Sequence, residues 1–294
     1  MIDDAALTAS GLTVTVVDAC LRDDGGGSPT AVIDEASLSD GQRCLLPVRM
    51  GTSHAVFVSV EDDSALGLEA SVRFFTAAGE LPACGHGTIA ALALLAQRSD
   101  RTRARVTLRT AERVLTGLVA RANGRFEAAF DPGPIDLREP VPDKIGSVLG
   151  ALGVEAGGVP PGTCIASIGR PRLLVPVATR RRLAALTPDF ERLRAACDRL
   201  GLLGCYVYSR PTSEGRLAAR MFAPSIGVDE DIANANSTAG LSAYLAGYGR
   251  TEIAVDMGDA LATPATITAT ARRSPSGTIV RVGGRAAIGR TIRL

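Results

Sequence analysis

The sequence predicts an α+β fold with two pseudo-symmetric lobes, each a curled β-sheet wrapped around a central helix. Three observations lead to this prediction. The segment that begins at Arg73 is repeated in outline by the segment that begins at Arg220. The helix of the first copy, Thr88–Ala96, has no polar face, so it should be buried on every side. Between the copies lies "DPGPIDLREPVP" (Asp131–Pro142), whose prolines and turn formers predict a linker.

The repeat defines the domains. At 294 residues, one hydrophobic core approaches the size at which chains divide into lobes. We expect an N-terminal lobe at residues 1–130 and a C-terminal lobe at 131–283. A last strand near 284–294 can return to the first lobe.

Most predicted elements are strands, recognised by alternation and β-branched residues. In chain order they are Leu12–Leu21, Thr30–Ile33 (after the turn Asp23–Pro29), Ser53–Val60, Ala70–Ala77, Ala104–Thr110, Arg125–Phe130, Leu173–Ala178, Cys205–Arg210 and Arg216–Ala223. Pro188–Gly201 has helical spacing, with Pro188 placed for a first turn and Gly201 for a C-cap. The tail, from Thr278, predicts two more strands joined through Gly283–Gly284.

Composition excludes several classes of protein. The net charge is +1 and aromatic residues make up 4% of the chain, so the basic runs Arg101–Arg105 and Arg180–Arg182 indicate solvated faces and no nucleic-acid partner. No apolar run is long enough to span a membrane, and the acidic start does not resemble a signal peptide. We therefore expect a cytoplasmic protein that does not bind a membrane.

Cysteine and histidine usage predicts neither disulfides nor a metal site. The six cysteines are widely spread with no C-x-x-C pair, which is typical of reduced, mostly buried thiols. With only two histidines, His54 and His86, a histidine-based metal centre is not expected. No G-x-G-x-x-G or P-loop motif indicates a nucleotide.

Each copy of the repeat contains a turn that leads into a helix, which we call an elbow: "GELPACGHGT" (Gly79–Thr88) in the first and "DEDIANANST" (Asp229–Thr238) in the second. Thr88 and Thr238 lie 15 and 18 residues after Arg73 and Arg220. A helix N-terminus binds anions through its N–H groups and dipole, and glycines allow close approach. Gly85 and Gly87 can instead serve packing alone, but two elbows with acids nearby favour a carboxylate-binding cleft between facing lobes.

The chain resembles the phenazine-biosynthesis PhzF-like family of the diaminopimelate-epimerase-fold superfamily. The resemblance is carried by "ELPACGHGT" (Glu80–Thr88) and "MFAPSIGVDEDIANANSTAGLSAYL" (Met221–Leu245), and by "GSPTAV" (Gly27–Val32), which is similar to the family's G-N-P-A-A-V. It extends through "GRPRLLVPVATRRRLAALTPDFERL" and covers nearly the whole chain in order. It implies a mixed sheet in each lobe, a homodimer, no cofactor and proton transfer on small carboxylate-bearing molecules.

The resemblance also implies roles for three residues. Asp231 matches the acid of the family's E-D-P-x-T-G-S motif, which here reads "EDIANAN". His86 matches the active-site histidine. The family's S-E-T-x-F supplies a glutamate base, and "SHAVF" (Ser53–Phe57) puts His54 in its place. Histidine, with an ordinary pKa of ~6.5 against ~4.3 for glutamate, is a reasonable acid–base replacement near neutral pH.

Each candidate also has a structural interpretation. His54 can be a neutral strand residue bonded to a backbone carbonyl, Asp231 can be the N-cap of the second central helix, and Glu80 is expected to hold a turn. "CGHGT" also resembles the first motif of proline racemases, in which a thiolate removes the α-proton. The second elbow offers "NANS", without a cysteine, so we interpret Cys84 as a small buried residue.

The predicted function is a cofactor-independent isomerase that moves a proton, and with it a double bond, in a small unsaturated amino or imino acid. The substrate would be a pyrroline-carboxylate or dihydroaromatic acid of secondary metabolism, such as antibiotic biosynthesis. His54 and Asp231 would transfer the proton and His86 would orient or relay it. The expected substrate-binding residues are Ser53, Cys84, Gly85, Gly87, Thr88, Asn236 and Ser237. An amino-acid epimerase and a non-catalytic carboxylate-binding homologue remain as alternatives.

Overall fold

A computed structural model of the protein describes residues 11–64, 67–154, 158–275 and 277–294. Over these residues the chain has 17 β-strands and six α-helices. The strands pair in both parallel and antiparallel directions, which confirms a mixed α/β fold. The chain divides into two compact units: residues up to Asp131 together with Gly283–Leu294, and Pro132–Val282. No helix within the described ranges is both long and apolar enough to cross a membrane.

In the first unit, two helices connect strands of a mixed sheet. The strands are β1 (Thr13–Leu21), β2 (Ser28–Asp34), β3 (His54–Ser64), β4 (Gly67–Thr76), β5 (Gly79–Leu81), β6 (Arg103–Arg109), β7 (Val114–Ala122) and β8 (Arg125–Phe130). The helices are α1 (Asp40–Met50), between β2 and β3, and α2 (Gly85–Arg98), between β5 and β6. β2 pairs parallel with β3 and β4 with β6, while β1 with β2, β3 with β4, β6 with β7 and β7 with β8 are antiparallel.

The second unit has a similar alternation of elements. Its strands are β9 (Asp136–Arg138), β10 (Cys164–Ile168), β11 (Arg170–Val177), β12 (Cys205–Ser209), β13 (Arg216–Ala223), β14 (Val228–Asp231), β15 (Glu252–Met257) and β16 (Ala265–Ser274). Its helices are α3 (Pro142–Leu152), α4 (Arg180–Ala184), α5 (Phe190–Arg199) and α6 (Ala235–Ala246), with 3₁₀ turns at Pro224–Ile226 and Asp259–Leu261. β17 (Gly277–Arg293) begins in this unit and ends in the first.

The two copies of the sequence repeat have the same order of elements. In the first copy β4 leads through the short β5 to α2, and β6 then pairs parallel with β4. In the second copy β13 leads through β14 to α6, and β15 then pairs parallel with β13. Each copy therefore places one helix N-terminus just after a short strand that pairs antiparallel with the arginine-bearing strand.

Helix α2 is buried on all sides, as its sequence predicts. Every residue from Gly85 to Ala96 is buried, and the helix contacts β1, β2, β3, β6, β7 and β8 of its own unit. The sheet approaches it closely at Gly117 of β7, where an added Cβ would lie 2.4 Å from Leu92 Cδ2. An apolar, alanine-rich helix is what such close contact on every face requires.

The remaining helices cover sheet faces and build the larger side-chain clusters. In the second unit α3 and α5 pack over β11 and β12 through residues such as Val148, Leu193 and Leu173. In the first unit α1 covers Phe57 and Phe75, whose rings meet edge to face with centroids 5.5 Å apart. Both helices α1 and α3 were outside the sequence predictions. In α1 the internal Pro47 interrupts the helical pattern, although Ser39 and Gln42 form a capping box.

Two details of the predicted α5 helix are wrong. The helix begins at Phe190 with Asp189 as its N-cap, whose carboxylate accepts from the Arg192 N–H at 3.0 Å. Pro188 therefore lies before the cap and not in the first turn. At the other end Leu200 is the C-cap, and Gly201 follows it in the left-handed conformation, at φ +64°.

The tail is one strand, β17, and not two strands joined through Gly283–Gly284. A Cβ at Gly283 would lie 2.4 Å from the carbonyl oxygen of Ala128 in β8, so this glycine allows two backbones to approach closely and does not form a turn. Within the predicted linker Asp131–Pro142, β9 forms and pairs antiparallel with β10.

Candidate active site

The elbow of the first unit is the N-terminus of α2, and Cys84 is its N-cap. The Cys84 Sγ accepts from the N–H of Gly87 at 3.3 Å, and the Thr88 Oγ1 donates to the Cys84 carbonyl oxygen at 2.8 Å. A cap of this kind satisfies one of the N–H groups that a helix leaves without a partner in its first turn. Sulfur takes the place of the more usual oxygen.

The elbow of the second unit is built in the same way around Asn234, the N-cap of α6. The Asn234 Oδ1 accepts from the N–H of Ser237 at 2.9 Å, and the Thr238 Oγ1 donates to the Asn234 carbonyl oxygen at 3.0 Å. Cys84 and Asn234 thus occupy equivalent cap positions, each four residues before a bonded threonine. Asn234 is the site residue that the sequence interpretation missed, although this spacing to Thr238 could have identified it.

An arginine–glutamate pair holds each elbow on its strand. Arg73 donates to both carboxylate oxygens of Glu80 at 2.9 and 2.7 Å, and Arg220 donates to both oxygens of Glu230 at 2.9 and 2.7 Å. The guanidinium groups also lie over phenylalanine rings two residues further along each strand. The prediction that Glu80 holds a turn is confirmed.

Four polar side chains of the first unit meet at the α2 N-terminus. The Nδ1 of His54 lies 3.0 Å from the Nε2 of His86, and the two rings are nearly perpendicular, with centroids 4.3 Å apart. The same Nε2 lies 3.4 Å from Cys84 Sγ, and the same Nδ1 lies 2.9 Å from Ser53 Oγ. We call these four residues, Ser53, His54, Cys84 and His86, the histidine cluster.

Strand β3 and its preceding turn position His54. Helix α1 ends at Gly51 in the left-handed conformation, and the Thr52 Oγ1 then donates to the His54 carbonyl at 2.9 Å. His54 is the first residue of β3 and pairs with Thr30 of β2. The backbone of His54 is therefore fixed by β3 and its preceding turn. The His54 ring contacts His86, which lies in the first turn of α2.

Three members of the histidine cluster are shielded from solvent, with His54, His86 and Cys84 only 4%, 2% and 5% exposed, whereas Ser53 is exposed. Burial, and secondarily the neighbouring His86, lower the pKa of His54 well below its ordinary value. At 3.0 Å two ring nitrogens need one proton between them, because two lone pairs would repel. The pair is thus a hydrogen-bonded unit in which one nitrogen donates and the other accepts.

Gly87 is required by packing at this point. An added Cβ would lie 3.0 Å from Cys84 Sγ, 3.0 Å from Val56 Cγ2 and 3.1 Å from Phe74 Cδ1. These contacts support the packing interpretation of this glycine, and its substrate contact stays a prediction. Since the Cys84 cap also takes the Gly87 N–H, this group is directed at sulfur and not at a ligand.

In the second unit the predicted residues surround the α6 N-terminus. Asp231 ends β14 and is buried, and its Oδ2 accepts from the Asn234 Nδ2 at 3.0 Å. The alternative that Asp231 caps α6 is wrong, because Asn234 is the cap and Asp231 orients it. Asn236 is the second residue of α6, and Ser237, the third, points its Oγ toward Met221 Sδ at 3.5 Å.

The cluster also contains a set of donors that could hold a metal ion. One ligand atom each from His54, Cys84 and His86 lies within 4.8 Å of the others, and all three residues are buried. The sequence predicts no metal site because it has two histidines, and the third donor here is the thiol of Cys84. The structure therefore adds a candidate metal site that the number of histidines did not lead us to expect.

The chain is similar to known proteins over most of its length. A family model described as phenazine biosynthesis-like protein, PhzC-PhzF, matches residues 17–291. An uncharacterized isomerase of Deinococcus radiodurans is 30% identical over 287 residues, which cover 90% of this chain and 88% of that protein. The trans-2,3-dihydro-3-hydroxyanthranilate isomerase of Pseudomonas aeruginosa is 28% identical over 234 residues, covering 79% and 78% of the two chains. A solved structure described as a predicted epimerase from Pseudomonas aeruginosa aligns with a TM-score of 0.82 at 25% identity, over 96% of this chain and 99% of that one.

Proposed function

Since the chain belongs to the PhzC-PhzF family of phenazine biosynthesis-like proteins and is an isomerase, we propose that it moves a proton, without a cofactor, in a small unsaturated amino or imino carboxylic acid. The double bond of the substrate shifts as the proton leaves one carbon and another is delivered to a second carbon. The contact between His54 Nδ1 and His86 Nε2, 3.0 Å long and buried, carries this proposal. His54 can accept and donate a proton, and it stands at the position where the family motif has its glutamate.

His54 accepts the substrate proton in this scheme, and His86 keeps its ring oriented. The His54 Nδ1 already has two polar neighbours, Ser53 Oγ and His86 Nε2, so a proton gained there has partners in the cluster. Asp231, fixed by the Asn234 side chain, is the proposed second proton-transfer group. After each turnover the proton gained by His54 passes to solvent and a solvent proton replaces the one delivered to the substrate, so both groups return to their starting state.

The substrate carboxylate is the proposed anion at the helix N-termini. The Cys84 cap uses the Gly87 N–H, so we assign the carboxylate contact in the first elbow to the preceding N–H groups, of Gly85 and His86. In the second elbow the cap uses the Ser237 N–H, and Asn236 is the proposed side-chain donor. No arginine or lysine is needed for this binding.

Substrate identity is proposed as a class, a pyrroline-carboxylate or a dihydroaromatic acid of secondary metabolism. A homologue that acts on a dihydroaromatic acid is 28% identical. Ile232 and Ala235 replace proline and glycine of the family motif, and Ala235 adds a Cβ beside the proposed carboxylate site. These changes favour a substrate other than that of the phenazine route. We further propose that the protein acts as a homodimer.

A two-thiol racemase is not favoured. The position equivalent to Cys84 in the second elbow is the N-cap of α6, and Asn234 occupies it. An amide can neither take nor return an α-proton in the way a thiolate does. The isomerase proposal is therefore the one that we put to the test.

The test is deuterium incorporation from D2O, followed by NMR with no added cofactor, on a panel of pyrroline- and dihydroaromatic carboxylates and ordinary amino acids. We expect exchange together with a shifted double bond. His54→Gln should reduce the rate by at least about 100-fold, because general acid–base catalysis contributes 10²–10⁴-fold.

The matched control is Arg285→Gln. This side chain is partly exposed and pairs with Asp24, outside the candidate site, so the change should leave exchange unchanged. Exchange only at an α-carbon with racemisation would support the epimerase instead. Full activity in His54→Gln would refute the role of His54. Binding without exchange across the whole panel would support a carboxylate-binding protein.

A further inference from the structure

The histidine cluster has a property beyond proton transfer, because its donor atoms converge. His54 Nδ1 and His86 Nε2 are 3.0 Å apart, His86 Nε2 and Cys84 Sγ are 3.4 Å apart, and the three atoms all lie within 4.8 Å of one another. They come from strand β3, the cap of α2 and the first turn of α2. This convergence therefore depends on tertiary structure and not on local sequence.

These separations approach those around a tetrahedral metal ion. Zinc binds histidine nitrogen at ~2.0 Å and thiolate sulfur at ~2.3 Å, which puts neighbouring tetrahedral ligands about 3.3–3.7 Å apart. The two shorter separations in the cluster differ from that range by about 0.3 Å or less, and the longest closes with a side-chain movement of about 1 Å. Small χ rotations of buried rings supply shifts of this size.

The chemistry of the donors selects the class of ion. Two imidazoles and a thiolate are borderline and soft ligands, which suit Zn²⁺, whereas Mg²⁺ and Ca²⁺ require oxygen ligands. Three protein ligands leave a fourth tetrahedral position open. The Gly87 N–H donates to the Cys84 Sγ, which caps the N-terminus of α2, so the sulfur is held in place beside His86.

We propose that His54 Nδ1, His86 Nε2 and Cys84 Sγ bind one Zn²⁺ ion, with the fourth position open to water or a carboxylate. Binding releases the thiol proton to solvent, and the proton that lay between the two ring nitrogens moves, through solvent, to the other nitrogen of its own ring, so both imidazoles stay neutral. No oxidant or reductant takes part. The ion takes the place of the proton that otherwise lies between these two nitrogens. Zinc binding itself does not depend on the isomerase activity.

One consequence rests on the proposed function. Zinc occupies the two ring nitrogens that would transfer and orient the proton, so the zinc-bound protein should be inactive and a chelator should restore it. Zinc is therefore an inhibitor of the isomerase and not its cofactor.

The test is a titration of chelator-treated full-length protein with Co²⁺, which reports thiolate ligation through a charge-transfer band. We expect one equivalent of Co²⁺, a charge-transfer band, and displacement by one equivalent of Zn²⁺. Cys84→Ser should abolish the band, and His54→Gln should weaken zinc affinity by more than about 100-fold, since even outer-shell changes cost 10–100-fold.

Two features keep this test decisive. Cys84→Ser retains an oxygen that can accept from the Gly87 N–H, so its folding is expected to persist and is checked by circular dichroism. Cys44→Ser removes a half-buried thiol on α1, outside the cluster, and should leave the band intact. A band that survives Cys84→Ser, or no stoichiometric binding, overturns the proposal. Since the readout involves no turnover, neither result bears on the isomerase proposal.

Discussion

At the scale of single residues, Cys84 connects the two structural tasks of the first elbow. Its sulfur caps α2 through the Gly87 N–H and also lies beside His86, which in turn contacts His54. The sequence interpretation, a small buried residue, is correct in burial, since Cys84 is 5% exposed. It does not include the cap or the histidine contact, because both depend on where the first turn of α2 points.

Gly87→Ala tests how tightly this elbow is built. The new methyl group would meet Cys84 Sγ, Val56 and Phe74 at 3.0–3.1 Å, which is closer than carbon atoms ordinarily approach. Overpacking of a core typically costs 1–3 kcal/mol, so we expect the free energy of unfolding to fall by about 2 kcal/mol in urea denaturation.

The control for this change is Gly146→Ala, on the exposed face of α3, where an added Cβ meets no atom within 4 Å. Alanine in a helix is more favourable than glycine, so this variant should be as stable as the parent or more so. Equal stability of the two alanine variants would show that the elbow relaxes around the methyl group.

At the scale of elements, the same construction recurs in both elbows: an arginine on a strand, a glutamate on the following short strand, and a capped helix. The two ion pairs differ in exposure. The Arg220 and Glu230 side chains are 12% and 7% exposed, against 35% and 33% for Arg73 and Glu80. Arg220 donates in addition to the carbonyl oxygens of Leu183 and Leu186.

This difference predicts unequal costs for removing the two glutamates. Glu230→Ala leaves the largely buried Arg220, 12% exposed, without its carboxylate, and breaking a buried pair costs up to about 3–5 kcal/mol. Glu80→Ala should cost about 1 kcal/mol or less, because Arg73 reaches solvent and also pairs with Asp40. Chemical denaturation of both variants measures the two costs, and equal values would contradict the assignment.

At the scale of the whole molecule, the last strand connects the end of the chain to its beginning. Residues 285–293 of β17 pair antiparallel with β1 from Thr13 to Leu21, and the Leu294 N–H donates to the Leu12 carbonyl at 2.8 Å. The first unit is therefore completed by residues more than 260 positions further along the sequence, which gives its sheet contacts of very long sequence separation.

Truncation after Val282 is expected to destabilise the first unit although it removes none of the candidate site residues. β1 would lose its β17 partner, leaving a row of unpaired N–H and C=O groups along a mostly buried strand. We expect the thermal unfolding transition to fall by more than about 10 °C or to lose cooperativity. Removal of Leu294 alone should shift it little. A truncated protein with the parent's transition would contradict this account.

Much of the architecture was within reach of the sequence. Six of the strands β1–β8, the buried α2 and the repeat follow from patterns among neighbouring residues, because period and turn chemistry are local. The strands β5 and β7 were not predicted. Pro188 and Gly283 were misread for a shared reason. Proline and glycine are each compatible with several conformations, and the backbone around them decides between a cap, a turn and a close approach of strands.

The candidate site also has some features that the sequence predicts and others that only the tertiary structure decides. The sequence by itself determined the repeat, the two elbows and the presence of His54 and His86, because these are properties of the chain and its local periods. Only the tertiary structure decided that these two rings share a proton beside Cys84, and that Asn234 rather than Asp231 caps α6. His54 and His86 are 32 residues apart, and their contact depends on the β2–β3 register and on how α2 enters its sheet. Distances of this kind are set by long-range packing, which no local pattern encodes.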